Sequence, residues 1–288
     1  MRELEKSLPS ASELAAWNTC QAKWAFMYRC GIAVKEKRTA LLAGSALSEA
    51  MEQFYLPEGE LTVDEVFDKF MFDARTMHET CPEEEWQEVF SQARQVLELY
   101  QKTYTPQRFG KVLGVQKKID RPCPMKLDLV VKDPETGEIY PVEQKSCNGW
   151  IDVTYENQKY EMDAQPILYT MGVSSLYNIE CSKCVIDYLI KPIPAMGRYK
   201  EVPAKLDSYT VKVPHWKQDM MYATLLNANE EMEVLDEELG EMKMEAIPRR
   251  TNNCVQKLGK KTFLCDFYEA CSMNCNPLEL AGFVGKEE

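Results

Sequence analysis

The stretch from Leu127 to Ser146, LDLVVKDPETGEIYPVEQKS, decides the predicted fold. Two runs rich in Val, Leu and Ile flank DPETG at positions 133–137, and Asp, Pro and Gly in that order are a strong turn signal. The stretch therefore predicts a β-hairpin. Closing the hairpin on this turn gives a register in which paired residue numbers sum to 271, so that Asp128 lies opposite Glu143.

Asp128, Glu143 and Lys145 are predicted to converge on one face of this hairpin. Side chains alternate between the faces of a strand, so Glu143 and Lys145 project from the same side. Two facing carboxylates repel each other unless a cation lies between them, and hard oxygen ligands suit Mg²⁺ or Mn²⁺. Such a metal polarises a phosphodiester while a lysine orients the attacking water or stabilises charge. On spacing alone, a surface ladder of salt bridges is the simpler interpretation.

Helical periodicity dominates on both sides of the hairpin. The predicted helices cover residues 10–31 with Ser10 or Ser12 as N-cap, 41–55, 63–104 as two helices parted near 81–82, 157–173, and 216–244. The predicted strands cover residues 111–118, 127–132, 138–146 and 184–190. Pro166 is expected to perturb its helix, and the tail from Ile247 onward lacks a regular pattern. This order of elements predicts an α/β (α+β) fold with a central mixed sheet flanked by helices.

The composition, 45% hydrophobic and 28% charged, is that of an ordinary globular protein and argues against disorder. No stretch approaches the roughly eighteen apolar residues of a membrane span, and the acidic N-terminus is unlike a signal peptide. The expected location is the cytoplasm, or the host cytoplasm if a phage encodes the chain, with no membrane partner. Eleven cysteines, an odd number without a secretion signal, favour metal ligation or burial over a disulfide framework.

The net charge of -12 is unfavourable for a protein that binds nucleic acid, because phosphate binding depends on Lys and Arg. The acidic excess is concentrated at residues 83–85 and 230–245, which are predicted to be solvated helix faces. Residues 247–264 contain no acid. The predicted DNA-binding residues lie there: Arg249, Arg250, Lys257, Lys260 and Lys261.

Two segments of the hairpin, LDLV at 127–130 and PVEQKS at 141–146, resemble the signature strands of the PD-(D/E)XK nuclease superfamily. Gln165 and Tyr169 resemble the Q-x-x-x-Y element of RecB-like exonucleases, which supports the site and contacts DNA in those enzymes. GSALSEAMEQFY at 44–55 resembles their G-x-x-x-H-x-x-x-E segment, with Ser48 where many relatives have a metal-binding histidine. The resemblance implies a restriction-endonuclease-like core and a metal-dependent DNA exonuclease or DNA-end-processing nuclease.

The resemblance also implies roles for individual residues. The implied catalytic residues are Asp128, Glu143, Lys145, Gln165 and Tyr169. The Mg²⁺ or Mn²⁺ would be held by Asp128, Glu143 and the backbone carbonyl of Gln144, either alone or joined by Glu52 in place of the missing histidine. The number of metal ions is left open, and Glu49 is expected to face solvent.

Four cysteines resemble the one-plus-three arrangement of iron–sulfur RecB-like nucleases, a group that includes the CRISPR-associated adaptation nucleases: Cys20, Cys254, Cys265 and Cys271. WNTCQAK at 17–23 matches the opening motif of that group, and CDFYEAC at 265–271 matches the closing one. The implied cofactor is a 4Fe–4S cluster, with zinc as the alternative, that clamps the two chain ends together. Cys275 is an alternative fourth ligand, and buried or incidental cysteines are another alternative. The C-x-x-C at 181–184 is interpreted as the start of a strand.

The predicted organisation is a single nuclease domain over residues 1–288. It comprises a helical insertion at about 57–108, a nuclease core at about 109–215, and a C-terminal helix with the cysteine region at 216–288. Near the basic tail, the rings of Phe263, Phe267 and Tyr268 would stack on bases or pack around the cluster.

Three classes of function follow from these residues. The leading one is a nuclease acting on single-stranded DNA or duplex ends in recombination, repair, replication or CRISPR adaptation. The second is a catalytically silent protein of nuclease fold that binds DNA or acts as a scaffold. Ser48 and the net charge of -12 favour this class. A non-nuclease iron–sulfur protein, such as an electron carrier, is the third. No P-loop is present, so a helicase motor would be a separate chain. A homo-oligomer and a recombination, helicase or CRISPR-adaptation partner remain open.

Overall fold

The computed structural model describes residues 8–34, 39–56, 61–77, 82–195, 200–239, 255–258, 261–264, 267 and 283–285. The chain divides into two compact units. One combines Met1–Glu36 with Tyr222–Glu288, and the other is Lys37–Met221. The subdivision at residues 57–108, 109–215 and 216–288 stays a prediction.

Helices and strands alternate in blocks along the described residues. The helices are α1 (Ala11–Thr19), α2 (Gln21–Trp24), α3 (Thr39–Tyr55), α4 (Val63–Met77), α5 (Glu83–Thr103), α6 (Val153–Tyr160), α7 (Ala164–Tyr177) and α8 (His215–Leu239), with a π-helical turn at Ala25–Arg29. The strands are β1 (Ile32–Val34), β2 (Lys111–Ile119), β3 (Met125–Lys132), β4 (Ile139–Cys147), β5 (Lys183–Ile190), β6 (Lys205–Lys212), β7 (Val255–Leu258), β8 (Lys261–Leu264) and β9 (Phe283–Gly285).

A five-stranded sheet in the order β2-β3-β4-β5-β6 forms the centre of the unit Lys37–Met221. β4 and β5 are parallel, and the other neighbours are antiparallel. A parallel pair needs a long crossover, and α6 and α7 supply it. α7 contacts β3, β4 and β5, whereas α5 contacts β5 and β6. The predicted mixed sheet flanked by helices is confirmed.

The β3–β4 hairpin has the predicted register. Its pairs run from Leu129–Val142 to Lys132–Ile139, and each pair sums to 271. The turn closes through Asp133, whose backbone N–H donates to the carbonyl of Glu138 at 2.9 Å. The Asp133 carboxylate also accepts the N–H groups of two turn residues, at 2.8 and 3.1 Å. The turn sequence therefore fixes which residues face each other.

The helix predicted over 157–173 is wrong, because the structure has α6 and α7 there with a break at 161–163. Asp152 caps the N-terminus of α6, and Asp163 caps that of α7. Pro166 lies in the first turn of α7, where the N–H that proline lacks has no intrahelical partner to lose. The proline therefore leaves α7 undisturbed.

Two further differences concern short or exposed elements. The predicted helix over 10–31 is divided into α1, α2 and the π-helical turn, with Ser10 as the predicted N-cap of α1. β6 was missed because it is an edge strand with only one fully buried side chain, Val211. The tail beyond Ile247, predicted to lack regular structure, contains β7, β8 and β9.

The unit formed by the two ends of the chain has a small sheet of its own. β1 pairs with β9 in an antiparallel register from Ile32–Gly285 to Val34–Phe283. Phe267 packs against Phe26, with ring centroids 5.2 Å apart. None of the helices in the described ranges is long and apolar enough to cross a bilayer.

Candidate active site

The Asp128 and Glu143 carboxylates meet just beyond the last regular pair of the hairpin. Asp128 Oδ2 accepts the backbone N–H of Gln144 at 2.9 Å. This side chain therefore holds β4 to β3 just beyond Leu129–Val142, the last regular pair of the two strands. Glu143 is only 4% exposed. The structure thus brings together the two carboxylates that the sequence placed opposite each other.

Lys145 and Gln165 complete a closed network with Glu143. Lys145 Nζ lies 2.5 Å from Glu143 Oε1 and donates to Gln165 Oε1 at 2.9 Å. Gln165 Nε2 in turn donates to Glu143 Oε1 at 2.9 Å. The amide therefore has one orientation in which its oxygen faces the ammonium group and its nitrogen faces the carboxylate.

Tyr169 anchors this network to β3. Gln165 Nε2 donates to the Tyr169 hydroxyl at 2.8 Å, and that hydroxyl donates to the Lys126 carbonyl at 3.1 Å. Gln165 and Tyr169 are four residues apart and share one face of α7. Asp163 accepts the Gln165 backbone N–H at 2.8 Å, which fixes the first turn of that helix. The predicted pair of Gln165 and Tyr169 therefore lies at the site.

The electrostatics of the network follow from burial and charge. Burial, with the charge of Asp128 added, raises the pKa of Glu143 to about 8, although Lys145 opposes the shift. Burial alone would lower the pKa of Lys145, but the Glu143 carboxylate outweighs it and the pKa is raised. Lys145 therefore stays an ammonium group at neutral pH.

The donor set of this site fits a divalent cation. Glu143 Oε2 is buried and has no hydrogen-bond partner, which is a costly state for a carboxylate oxygen. A cation beside Asp128 and Glu143 would supply that partner and relieve the repulsion between the two acids. Oxygen donors of this kind suit Mg²⁺ or Mn²⁺.

Gln116 on β2 joins the site, although no pattern in the sequence predicts it. Its Nε2 donates to Asp128 Oδ1 at 3.3 Å and to Ser48 Oγ at 3.1 Å. Gln116 has a φ of 47°, which few residues other than glycine adopt. Ser48 on α3 is thus linked to Asp128 through the Gln116 amide.

Glu52 lies on α3 but does not join the two site carboxylates. Glu49 and Glu52 line a separate cavity of about 190 Å³ together with Leu56. Within the described part of the chain, no three His, Cys, Asp or Glu side chains come together in a way that could hold a metal ion. Glu49 is exposed, as predicted.

Several predicted residues fall outside what the structure describes. These are Cys254, Cys265, Cys271, Arg249, Arg250 and Lys260. Lys257 and Lys261 belong to the hairpin of β7 and β8, whose side chains are not described. Cys20 is buried between α1 and α2. Phe267 is buried, which agrees with packing inside the protein and not with stacking on bases.

The C-x-x-C pair at residues 181–184 lies at the start of β5. Cys181 and Cys184 are both free and buried. Burial raises the pKa of Cys181 to about 12 and raises that of Cys184 well above its usual value. Burial therefore disfavours the thiolate form of both cysteines. The pair lies at the start of β5, as the interpretation of this motif as a strand start predicts.

A buried ion pair lies on the other face of the sheet, and the sequence did not predict it. Asp187 is fully buried on β5 and pairs in register with Gln144. Its two oxygens accept from Arg108 and from the Tyr100 hydroxyl, each at 2.7 Å. Arg108 and Tyr100 thus give each oxygen of the Asp187 carboxylate a hydrogen-bond donor, and these bonds fix Asp187 beside Gln144 in the sheet. This cluster supports β4 from behind the site.

Comparison with known proteins supports the fold. The sequence matches no family model and no curated protein. The structure is similar to that of a Eubacterium rectale protein that is provisionally named an exonuclease, with 15% identity, 93% of this chain and 88% of that chain covered, and a TM-score of 0.54. A phage-related exonuclease from Haemophilus somnus has 12% identity, 73% and 98% coverage, and a TM-score of 0.34. The first likeness shows a shared fold.

Proposed function

We propose that this chain is a metal-dependent nuclease of the PD-(D/E)XK type that hydrolyses phosphodiester bonds in DNA. The network of Glu143, Lys145 and Gln165 beside Asp128, with its unpartnered Glu143 oxygen, carries the proposal. In a surface ladder of salt bridges the carboxylate would be solvated and satisfied. Here it is buried, and one oxygen lacks any partner.

Asp128, Glu143 and the Gln144 backbone carbonyl would hold Mg²⁺ or Mn²⁺. When bound, the metal supplies Lewis-acid stabilisation of phosphate charge and a water of lowered pKa. Lys145 brings a fixed positive charge to the same place, where it stabilises negative charge on the phosphate or orients the attacking water. Gln165 holds the Lys145 ammonium group in position, and Tyr169 holds Gln165.

The fold supports action on DNA ends. The Eubacterium rectale protein that shares it is provisionally named an exonuclease, and the Q-x-x-x-Y element at Gln165 and Tyr169 resembles that of RecB-like exonucleases. We infer DNA, as single strands or duplex ends, as the substrate. Recombination, repair, replication and CRISPR adaptation are the processes in which such an enzyme would act.

The same proposal includes a 4Fe–4S cluster held by Cys20, Cys254, Cys265 and Cys271, with zinc as the alternative metal. Two observations support it. Cys20 is buried, and β1 pairs with β9, so the two ends of the chain lie in one compact unit. A cluster with one ligand between α1 and α2 and three ligands in the tail would tie together two chain ends that already lie in one compact unit.

The test is a cleavage assay on end-labelled single- and double-stranded DNA, with Mn²⁺ or with EDTA. We expect cleavage only with the metal, and a loss of about 100-fold or more in Glu143→Ala and Lys145→Ala. Lys183→Ala is the matched control, because Lys183 also pairs with a glutamate, Glu138, but at the far end of the hairpin. Its activity should match that of the wild type.

Cleavage that survives in both site variants would overturn the proposal. DNA binding without cleavage in either metal would instead favour the catalytically silent scaffold. One observation favours this second function. The Gln116 amide donates a hydrogen bond to Asp128 Oδ1, an oxygen that a bound metal would otherwise use.

A further inference from the structure

We propose that residues 148–163, here called the stacking segment, form a binding surface for unpaired nucleobases beside the active site. The proposal rests on the nuclease function and deepens it, because it names DNA with unpaired bases as the substrate class. The residues proposed to contact the bases are Trp150, Tyr155 and Met162.

The exposure of these three side chains is the first observation. Trp150 is 60% exposed, Tyr155 61% and Met162 59%. Exposed large apolar side chains concentrated in one segment indicate a binding site more strongly than scattered ones do. These three come from a single short segment.

The position of the stacking segment is the second observation. It connects the end of β4, two residues beyond Lys145, to the start of α7, where Gln165 is the second residue. Trp150 follows Lys145 by five positions, and Met162 precedes Gln165 by three. The stacking segment therefore begins three residues after Lys145 and ends two residues before Gln165.

α6 is held on the same face of the sheet as the site. The Tyr188 hydroxyl donates to Asn157 Oδ1 at 2.8 Å, and Tyr188 pairs in register with Lys145 on the neighbouring parallel strand. Residues paired in this way project from one face. Glu161, at the end of α6, contacts the Tyr209 hydroxyl at 2.6 Å. The helix that carries Tyr155 is thus fixed before any ligand binds.

The acidic side chains of the stacking segment are each compensated within the protein, which makes the surface compatible with DNA. Asp152 and Asp163 cap helices by accepting backbone N–H groups. Glu156 pairs with Lys159 at 2.9 Å, and Glu161 pairs with the buried Lys217 at 3.2 Å. The repulsion between these acidic side chains and DNA phosphates is therefore reduced. The large exposed side chains of the segment are the aromatic rings of Trp150 and Tyr155 and the thioether of Met162.

Unpaired bases are the ligand that this chemistry selects. A base in a duplex has both faces covered by its neighbours, so a protein ring can stack only on a base that is single-stranded, frayed or terminal. A tryptophan or tyrosine ring accepts any base, because each base has a π-face. The polarisable thioether of Met162 adds an apolar contact without sequence preference.

The experiment measures binding of two fluorescent oligonucleotides of equal length, without divalent metal. One is ordinary single-stranded DNA, and the other has abasic positions that keep the phosphates but remove bases. We expect Trp150→Ala and Tyr155→Ala each to weaken binding of the ordinary strand by on the order of tenfold. The wild type should bind the abasic strand more weakly, and the double variant should no longer distinguish the two strands.

Phe72→Ala is the matched control, since Phe72 is an aromatic residue 70% exposed on α4. It should bind both strands as the wild type does. The melting temperature of each variant checks that it is folded. Wild-type discrimination retained in the folded double variant would overturn the proposal. So would a change in sedimenting mass without a loss of discrimination, which would make the segment an interface between copies of the chain.

The two proposals fail separately. A wild-type protein that cleaves DNA but binds ordinary and abasic strands equally is a nuclease without the stacking surface. A protein that cleaves no DNA but loses base-dependent binding on Trp150→Ala has the surface without the proposed catalysis.

Discussion

At the scale of single residues, Glu143 has a buried carboxylate with too few partners. One oxygen of its carboxylate accepts from Lys145 and Gln165, and the other is buried without a partner. A buried carboxylate is stable when charged only if enough positive charge and enough donors surround it. Lys145 supplies part of that positive charge. The pKa of Glu143 is nevertheless raised, because burial and the charge of Asp128 together outweigh the effect of Lys145.

This imbalance predicts how stability depends on pH in the metal-free protein. The pKa of Glu143 rises from 4.5 to about 8 on folding, so the folded state binds the proton more tightly than the unfolded chain. The stabilisation from protonated Glu143 is complete below the unfolded value and is lost as the pH rises through the folded value. We therefore expect the wild type to lose stability relative to Glu143→Gln as the pH rises from 4.5 to about 8.

The measurement is the melting temperature of both proteins across that pH range in EDTA, repeated with Mn²⁺. Added Mn²⁺ should stabilise the wild type more than the variant, because a ligand stabilises only the state that binds it. Glu138→Gln, at an exposed glutamate on the turn, is the control and should follow the wild type. Parallel melting profiles for wild type and Glu143→Gln would contradict the prediction.

At the scale of elements, α7 determines whether Gln165 reaches the site. The helix begins one residue before Gln165, and Asp163 fixes that start by accepting the Gln165 backbone N–H. A shift of the first turn would carry the amide away from Lys145 and Glu143. The helix cap is therefore also a positioning device for the candidate active site.

Asp163→Ala should lower stability by about 1 kcal/mol, the usual effect of losing an N-cap. It should also reduce cleavage, since Gln165 then lacks its fixed backbone position. The matched control is Ser10→Ala, which removes the N-cap of α1 in the other compact unit. Thermal melts and cleavage rates separate the two effects: both variants should lose stability, and only Asp163→Ala should lose activity. Equal activities would show that α7 holds Gln165 without its cap.

At the scale of the whole molecule, the chain ends belong together. β1, close to the N-terminus, pairs with β9, close to the C-terminus, within one compact unit. Joining segments so distant in sequence is entropically unfavourable. A metal cluster with ligands from both ends of the chain would offset this cost, which gives the proposed cluster a structural role.

Cys20→Ala is accordingly expected to yield protein that lacks visible absorbance and bound iron and is poorly soluble. Cys30→Ala is the control, because Cys30 lies in the same unit ten positions away and is only partly buried. That variant should keep its colour. Metal analysis of the wild type distinguishes iron from zinc. A Cys20→Ala protein with undiminished absorbance and stability would contradict a role for this cysteine in the cluster.

The sequence predicted the elements whose formation depends on near neighbours. The hairpin register follows from Asp133 and the turn that it closes, so Asp128 and Glu143 could be paired without any coordinates. The break between α6 and α7 was missed although Asp152 and Asp163 are both good N-cap residues, because the apolar period continued across it. Pro166 was misread because its effect depends on where the helix begins.

By itself, then, the sequence determined the hairpin and the convergence of Asp128, Glu143 and Lys145 on one face, since both depend on a local turn and on strand alternation. The pair Gln165 and Tyr169 followed from the resemblance to a known motif. Only the tertiary structure decided that Glu143 is buried with an unpartnered oxygen, and that Gln116 and Asp187 support the site. Gln116 bonds to Ser48 across 68 positions and Asp187 to Arg108 across 79. Burial and contacts of that range arise when distant segments pack, and no local pattern encodes them.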